Sequence, residues 1–218
     1  MKKYIRQNRR VYDDLASQYG ERVSRKSPYE IDFDFLVDSL MKKYVSLYKQ
    51  VPEKILELGP GAGETLCAFS RKGCSTTAIE FSEKMANVAR QNSPQTVFIL
   101  EDALSFRGFG EEQFDIVFAG AFMHLFSIED EKTLLRKIRK WMSDKSLFGL
   151  YTTVHEMSEE GLFLKSDYSS QLARFRRKWN REDLQEFLIC NGFKILDAFE
   201  NCEANRNKQW ITLILKKN

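Results

Sequence analysis

The 218 residues are enough for one well-buried domain and too few for two large ones with a linker. Hydrophobic residues at 43% and charged residues at 30% make an ordinary globular composition, which excludes a wholly disordered chain. The net charge of +3, from 34 basic and 31 acidic side chains, falls well short of the basic footprint of a dedicated nucleic-acid binder.

Met1-Lys2-Lys3 would suit the start of a signal peptide, but Tyr4 to Tyr19 is too polar to supply its apolar core, and no later run approaches a membrane span. The expected compartment is therefore the cytoplasm, with no membrane partner. Cys67, Cys74, Cys190 and Cys202 show no C-x-x-C spacing and no nearby histidine pair, so reduced thiols and no metal are expected.

The first fifty residues show two amphipathic helical patterns. Val11, Tyr12, Leu15 and Tyr19 repeat at helical spacing between Ile5 and Tyr19, and Phe33, Leu36, Val37, Leu40, Met41, Tyr44 and Leu47 do so between Tyr29 and Tyr48. Residues 1–50 are thus expected to form an N-terminal helical cap, with Gly20 to Pro28 as a flexible joint.

From Lys54 onward strands and helices alternate, as in a parallel sheet covered on both faces. The predicted strands are Lys54 to Leu58, Ser75 to Glu80, Thr96 to Leu100, Gln113 to Ala119, Leu147 to Val154, Phe193 to Phe199 and Gln209 to Leu215. The predicted helices are Glu64 to Arg71, Ser82 to Gln91, Ile128 to Trp141 and Arg181 to Asn191, with Ser82 and Asn180 as start signals and Gly192 as a stop. Only the polar stretch Glu200 to Lys208 separates the last two strands, which leaves no room for a crossover helix and makes that pair antiparallel.

The densest information lies in Ile55-Leu56-Glu57-Leu58-Gly59-Pro60-Gly61-Ala62-Gly63, an apolar strand running through an acid into a glycine turn that opens a helix. Glycines permit backbone torsions closed to other residues and a close approach of main chain to ligand, while the helix start presents free N–H groups. The next strand ends on Glu80, whose carboxylate can accept from both hydroxyls of a ribose. The spacing is G-x-G-x-G, with Glu64 where the dinucleotide fingerprint has its third glycine, which argues against a nicotinamide enzyme.

With Glu57, Glu80, Glu101-Asp102-Ala103 and Phe114-Asp115-Ile116-Val117-Phe118 in order, the chain resembles the class I S-adenosylmethionine-dependent methyltransferases. The resemblance is strong from Leu56 to Val154 and loose at the ends. It implies a Rossmann-like α/β fold of seven strands in the order 3-2-1-4-5-7-6, with the methyltransferase domain over residues 51–218 and S-adenosylmethionine as cofactor. It further implies that Gly59, Gly61 and Gly63 meet the methionine and ribose, that Glu57 holds the ammonium group and that Glu80 takes the ribose hydroxyls. Phe81 and Met85 would pack on the adenine, Asp102 and the Ala103 amide would read its edge, and Ala119 with Gly120 would leave room for the sulfonium. Core packing is the alternative for Phe81 and Met85, and a cap or loop role for Asp102.

Tyr12-Asp13-Asp14-Leu15-Ala16-Ser17-Gln18-Tyr19 resembles the Y-D-x-x-A-x-x-Y element that caps the cofactor in small-molecule members. Tyr12 and Tyr19 are seven apart and face one way on a helix, which also suits plain core packing. His124, just after the fourth strand, lies where many small-molecule methyltransferases carry a histidine and has a pKa range suited to a base; a packed histidine is the alternative. His155, beyond the fifth strand and beside Glu156, is a candidate substrate contact with a surface loop as the alternative, and the resemblance implies an acceptor-binding insertion over residues 155–180, in which Arg174 and Arg176 are candidates for a carboxylate, a phosphate or a stacked base. A solvated helix face is the other reading of that segment.

The expected function is methyl transfer to a small-molecule acceptor by direct displacement. The alternatives are an RNA or protein methyltransferase, or a non-catalytic interaction module that keeps the fold. Phe118-Ala119-Gly120-Ala121 stands where nucleobase amino methyltransferases carry an N-P-P-Y type element, and this, with the weak charge, argues against nucleic acid.

Overall fold

A computed structural model describes residues 1–25, 32–111, 113–164, 173–203 and 208–218. Helices α1 (Lys3–Arg25) and α2 (Phe33–Tyr48) precede β1 (Lys54–Leu58), α3 (Glu64–Arg71), β2 (Ser75–Glu80), α4 (Glu83–Asn92) and β3 (Val97–Leu100). Then come β4 (Phe114–Gly120), a 3-10 turn (Met123–Leu125), α5 (Ile128–Trp141), β5 (Met142–Val154), β6 (Glu159–Leu164), β7 (Ala173–Lys178), α6 (Arg181–Cys190), β8 (Phe193–Glu203) and β9 (Lys208–Lys217).

Seven strands form one sheet in the order β3-β2-β1-β4-β5-β9-β8. β1 to β5 run parallel, and β9 is antiparallel to both β5 and β8, which is the expected order with the expected terminal hairpin. Adjacent residues within a strand enter opposite cores: Ile55 and Leu56, Ile116 and Val117, Leu147 and Phe148, Ile214 and Leu213. That split is the period-two alternation of a strand with both faces covered. All eight side chains are fully buried, and each contributes about 1.5–3 kcal/mol by leaving water.

The helix starts follow from local hydrogen bonding. The Ser82 hydroxyl accepts from the Met85 amide at 3.1 Å, and the Asn180 side chain accepts from Glu182 N at 2.9 Å, so each satisfies an amide that its helix leaves unpaired.

Three features differ from the sequence expectation. The two helices of the expected N-terminal cap pack differently: α2 buries Leu36, Val37, Leu40 and Tyr44 beside α3 on one sheet face and brings Phe33 at its start to the cavity, while Ile5, Asn8, Tyr12 and Tyr19 of α1 line the opening at the ends of the strands. Second, α1 continues through Gly20 to Arg25, into the segment expected as a joint, whose remainder lies outside the described residues.

Third, the segment expected as an acceptor-binding insertion contains an antiparallel strand pair, β6 with β7, and not the helix face that was the alternative reading of it. Residues 165–172 of that insertion are outside the described residues. Among the described residues no helix is long and apolar enough to cross a membrane.

α1 is fastened along its length. The Asn8 side chain accepts from the Phe175 amide at 2.8 Å and donates to the Phe175 carbonyl at 3.1 Å and the Leu125 carbonyl at 3.2 Å. At its start, Lys2 and Tyr4 both bond to Asp130 of α5, the lysine at 2.7 Å. Buried amide bonds of this kind fix orientation, because breaking one strands a desolvated polar group.

Candidate functional site

The carboxyl ends of β1 to β5 open into a cavity roofed by α1. In an open parallel sheet the switch in strand order, here between β1 and β4, leaves a crevice at this end. β1 delivers Glu57 to it, and the turn that follows carries Gly59 at φ +64°, Gly61 at φ +56° and Gly63 at φ +83°.

These glycines are needed for different reasons. A Cβ on Gly59 would stand 2.3 Å from the Phe122 ring, and one on Gly63 would stand 2.9 Å from the Ala89 carbonyl oxygen of α4. A Cβ on Gly61 would meet nothing within 4 Å. Gly61 therefore faces open cavity with bare backbone, while Gly63 serves the packing of α3 on α4 and does not line the cavity.

Glu57 is 2% exposed, and its Oε2 has no hydrogen-bond partner among the described residues. Burial pushes its pKa up to about 8, against a smaller lowering from the Thr65 hydroxyl. Glu80 at the end of β2 is also buried; its pKa is pushed up to about 7 by desolvation, while the Ser82 amide donates to Oε1 at 2.8 Å and lowers it. Asp102 is raised by burial as well, with Oδ1 accepting from the Leu104 amide at 3.0 Å. Lys137 of α5 donates to the carbonyls of Ala103 (2.9 Å) and Phe106 (2.7 Å) and so holds the Asp102-Ala103 turn in place.

β4 ends at Gly120, and Ala121 follows it. Ala121 lies at φ +52°, rare for a residue with a Cβ and costing about 1 kcal/mol or more. Its amide donates to the Tyr151 carbonyl at 2.7 Å, which ties the strained residue to β5 at the rim of the cavity.

Comparisons with known proteins agree with this geometry. A family model described as a methyltransferase domain matches residues 55–145. The Bacillus subtilis (strain 168) protein named "Putative methyltransferase YqeM" is 32% identical over 110 residues, which are 49% of this chain and 40% of that protein. The chain thus spans less than half of that relative's length.

Among solved structures, the 1,6-didemethyltoxoflavin-N1-methyltransferase of Burkholderia thailandensis, with 1,6-didemethyltoxoflavin and S-adenosylhomocysteine bound, gives a TM-score of 0.74. The identity is 16%, over 99% of this chain and 89% of that one. The 4+2 cyclase SpnF gives a TM-score of 0.70 at 17% identity over 95% and 94%. Residues 55–145 thus match a methyltransferase domain, and the chain shares the fold of these solved structures.

Of the residues singled out by resemblance to the class I S-adenosylmethionine-dependent methyltransferases, Tyr12, Tyr19, Glu57, Gly59, Gly61, Glu80, Phe81, Met85, Asp102 and Ala103 line this cavity. The Tyr12 ring lies 6.2 Å from Tyr19 and 6.4 Å from Phe81, so the three form an aromatic wall beside Glu80. Ala119 does not reach it: the residue is wholly buried in the core, and Gly120 and Ala121 take its place at the cavity.

His124 is placed elsewhere too. It is 3% exposed in the 3-10 turn, with Nδ1 3.2 Å from the Thr152 hydroxyl, and it is not among the cavity-lining residues. His155 sits over Thr153, with Nε2 3.1 Å from that hydroxyl; burial, then Arg176 and Lys178, push its pKa down to about 4. Arg174 and Arg176 share one face of β7 and are used internally, Arg174 donating to the Tyr12 hydroxyl and Arg176 to the Thr153 hydroxyl. None of these three lines the cavity.

Sequence reasoning missed Asn8, Phe33, Thr65, Tyr151, Asn201, Glu203 and Trp210, all of which line the cavity. Asn8 had a usable signal, since it stands four residues before Tyr12 on the same helix face. Tyr151 and Trp210 had none, because they come together only through the pairing of β5 with β9.

Proposed function

We propose that the chain binds S-adenosylmethionine in this cavity and transfers its methyl group to a small-molecule acceptor. The observation that carries the reading is the Glu57 Oε2 atom, buried at the cavity and without a hydrogen-bond partner among the described residues. A buried carboxylate oxygen is costly unless a ligand donor completes it, and an amino-acid ammonium is such a donor. Gly61 supplies bare backbone beside it, and Glu80 supplies the acceptor for ribose hydroxyls at the neighbouring strand end. The cavity residues therefore fit the cofactor.

When bound, S-adenosylmethionine would supply a methyl group activated by its sulfonium for in-line transfer to an acceptor lone pair, the carbon–sulfur bond breaking with S-adenosylhomocysteine as the leaving group. The work left to the protein is alignment and exclusion of water. Tyr12, Tyr19 and Phe81 cover the Glu80 side, with Tyr12 held by Arg174, and Phe122, Leu125 and Phe126 line the side beyond β4. Among the described residues no histidine or lysine lines the cavity, so the reading requires no side-chain base of those types.

The 1,6-didemethyltoxoflavin bound in the Burkholderia thailandensis enzyme supports a small-molecule acceptor. SpnF, named as a cyclase, is the reminder that this fold also carries other chemistry. Titration of S-adenosylhomocysteine into wild type and Glu80→Ala tests the reading: a loss of roughly tenfold or more in affinity is expected, since hydrogen bonds to a carboxylate are worth about 1.5–3 kcal/mol. Equal affinity would remove Glu80 from the ribose.

A further inference from the structure

Lys137 of α5 does not line the cavity, yet the hydrogen bonds of its ammonium all go to the turn that follows β3. It donates to the carbonyls of Ala103 at 2.9 Å, of Leu104, and of Phe106 at 2.7 Å, three acceptors for the three protons of an ammonium.

The turn is a single helical one, in which the Ser105 and Phe106 amides both donate to the Asp102 carbonyl at 2.9 Å. One isolated turn costs more to order than its own bonds return, and its end carbonyls lack partners within it. Lys137 supplies those partners from a helix held in the core by Leu134, Leu135, Ile138 and Trp141.

One peptide unit links this clamp to the cavity. The Ala103–Leu104 peptide has its carbonyl bound by Lys137, and its N–H donates to Asp102 Oδ1 at 3.0 Å. Because the peptide is planar, fixing the carbonyl fixes the direction of that N–H and so the orientation of the Asp102 carboxylate. Burial raises the Asp102 pKa, while the Leu104 amide and the Lys137 charge both act in favour of the carboxylate.

Asp102 Oδ2 and the Ala103 amide have no hydrogen bond among the described residues, and both residues line the cavity. The chain thus leaves one acceptor and one donor on consecutive residues. Adenine offers the complement, with its amino group as donor and ring N1 as acceptor. Hypoxanthine reverses both, with an oxygen acceptor and an N1–H donor.

We infer that Lys137 is a positioning residue, holding the Ala103–Leu104 peptide so that Asp102 and the Ala103 amide select adenine over other purine bases. This rests on the proposed S-adenosylmethionine reading, and it puts a determinant of cofactor selectivity on α5, outside the cavity.

The test titrates S-adenosylhomocysteine and S-inosylhomocysteine, which carries hypoxanthine in place of adenine, into the purified chain. Wild type is expected to prefer the adenine ligand by about tenfold or more. Lys137→Met keeps the side-chain length and removes all three donors; it is expected to lose most of that preference through weaker binding of the adenine ligand, with the hypoxanthine ligand little changed. Lys137→Arg, which keeps charge and donors, should recover most of the preference. A merely structural role would weaken both ligands equally and leave their ratio at the wild-type value.

A wild-type ratio in Lys137→Met, whether or not both ligands weaken, would overturn the inference. Should Lys137→Met fail to fold in a urea denaturation series, Lys137→Gln carries the same test with fewer donors: a reduced ratio supports the inference and a wild-type ratio overturns it. Equal binding of the two ligands by wild type would also overturn it. Binding of neither would instead overturn the cofactor reading, so the two failures are distinguishable.

Discussion

Replacing Glu57 with Gln is the most searching perturbation of this cavity, because it keeps the side-chain shape and removes one ionisation. In the folded chain burial raises the Glu57 pKa from 4.5 to about 8. The folded state therefore keeps its proton where the unfolded state has lost it, so its contribution to stability is intact below the unfolded pKa and is lost as the pH rises toward 8.

At about 1.4 kcal/mol per unit, the full loss is about 5 kcal/mol, of which about 3 kcal/mol accrues between pH 6 and the plateau above 8. Gln cannot ionise. The stability of Glu57→Gln minus that of wild type, read by urea denaturation without ligand, should thus rise by about 3 kcal/mol from pH 6 to pH 9. Ligand binding has the opposite sign, because an ammonium needs the carboxylate: wild-type affinity for S-adenosylmethionine should climb with pH up to about 8, and the variant should bind weakly throughout. Parallel stability profiles for the two proteins from pH 6 to pH 9, or undiminished binding by Glu57→Gln, would refute the account of this residue.

The two glycines of the turn should separate folding from binding. Gly61→Ala points its methyl into open cavity, so it should cost only about 1–2 kcal/mol of backbone strain yet weaken S-adenosylhomocysteine binding severely; Gly63→Ala drives a methyl toward the Ala89 carbonyl and should lower the melting temperature much more. Calorimetric titration and thermal melts of both variants check this, and a reversed pattern would contradict it. His124→Gln should lose about 1 kcal/mol of stability with its Thr152 hydrogen bond and keep both cofactor affinity and turnover. A large fall in kcat at unchanged affinity would return that histidine to the role of base.

The sheet was legible because its signals are local and redundant. Apolar runs, the glycine turn and the Ser82 and Asn180 caps each mark an element within a few residues, and strand order followed once the motif was read together with the superfamily. The β6–β7 pair was not legible, since Arg174 and Arg176 mix charge into a short strand whose partner lies across residues 165–172.

The proposed cofactor half of the cavity was suggested by the ends of β1, β2 and β3, where Glu57 and Glu80 lie in the last residues of recognisable strands and Asp102 just beyond one. The other half could not. Tyr151, Asn201, Glu203 and Trp210 converge through long-range antiparallel pairing, and a histidine placed near β4 by sequence gave no sign that its ring turns toward Thr152.

The central claim, that this cavity takes S-adenosylmethionine, is tested most directly by calorimetric titration of the purified chain with S-adenosylmethionine, S-adenosylhomocysteine and NAD. The account predicts saturable one-to-one binding of the first two and none of the third. Binding of NAD, or of none of the three, would contradict it, and the last result would favour an interaction module that keeps the fold without the cofactor.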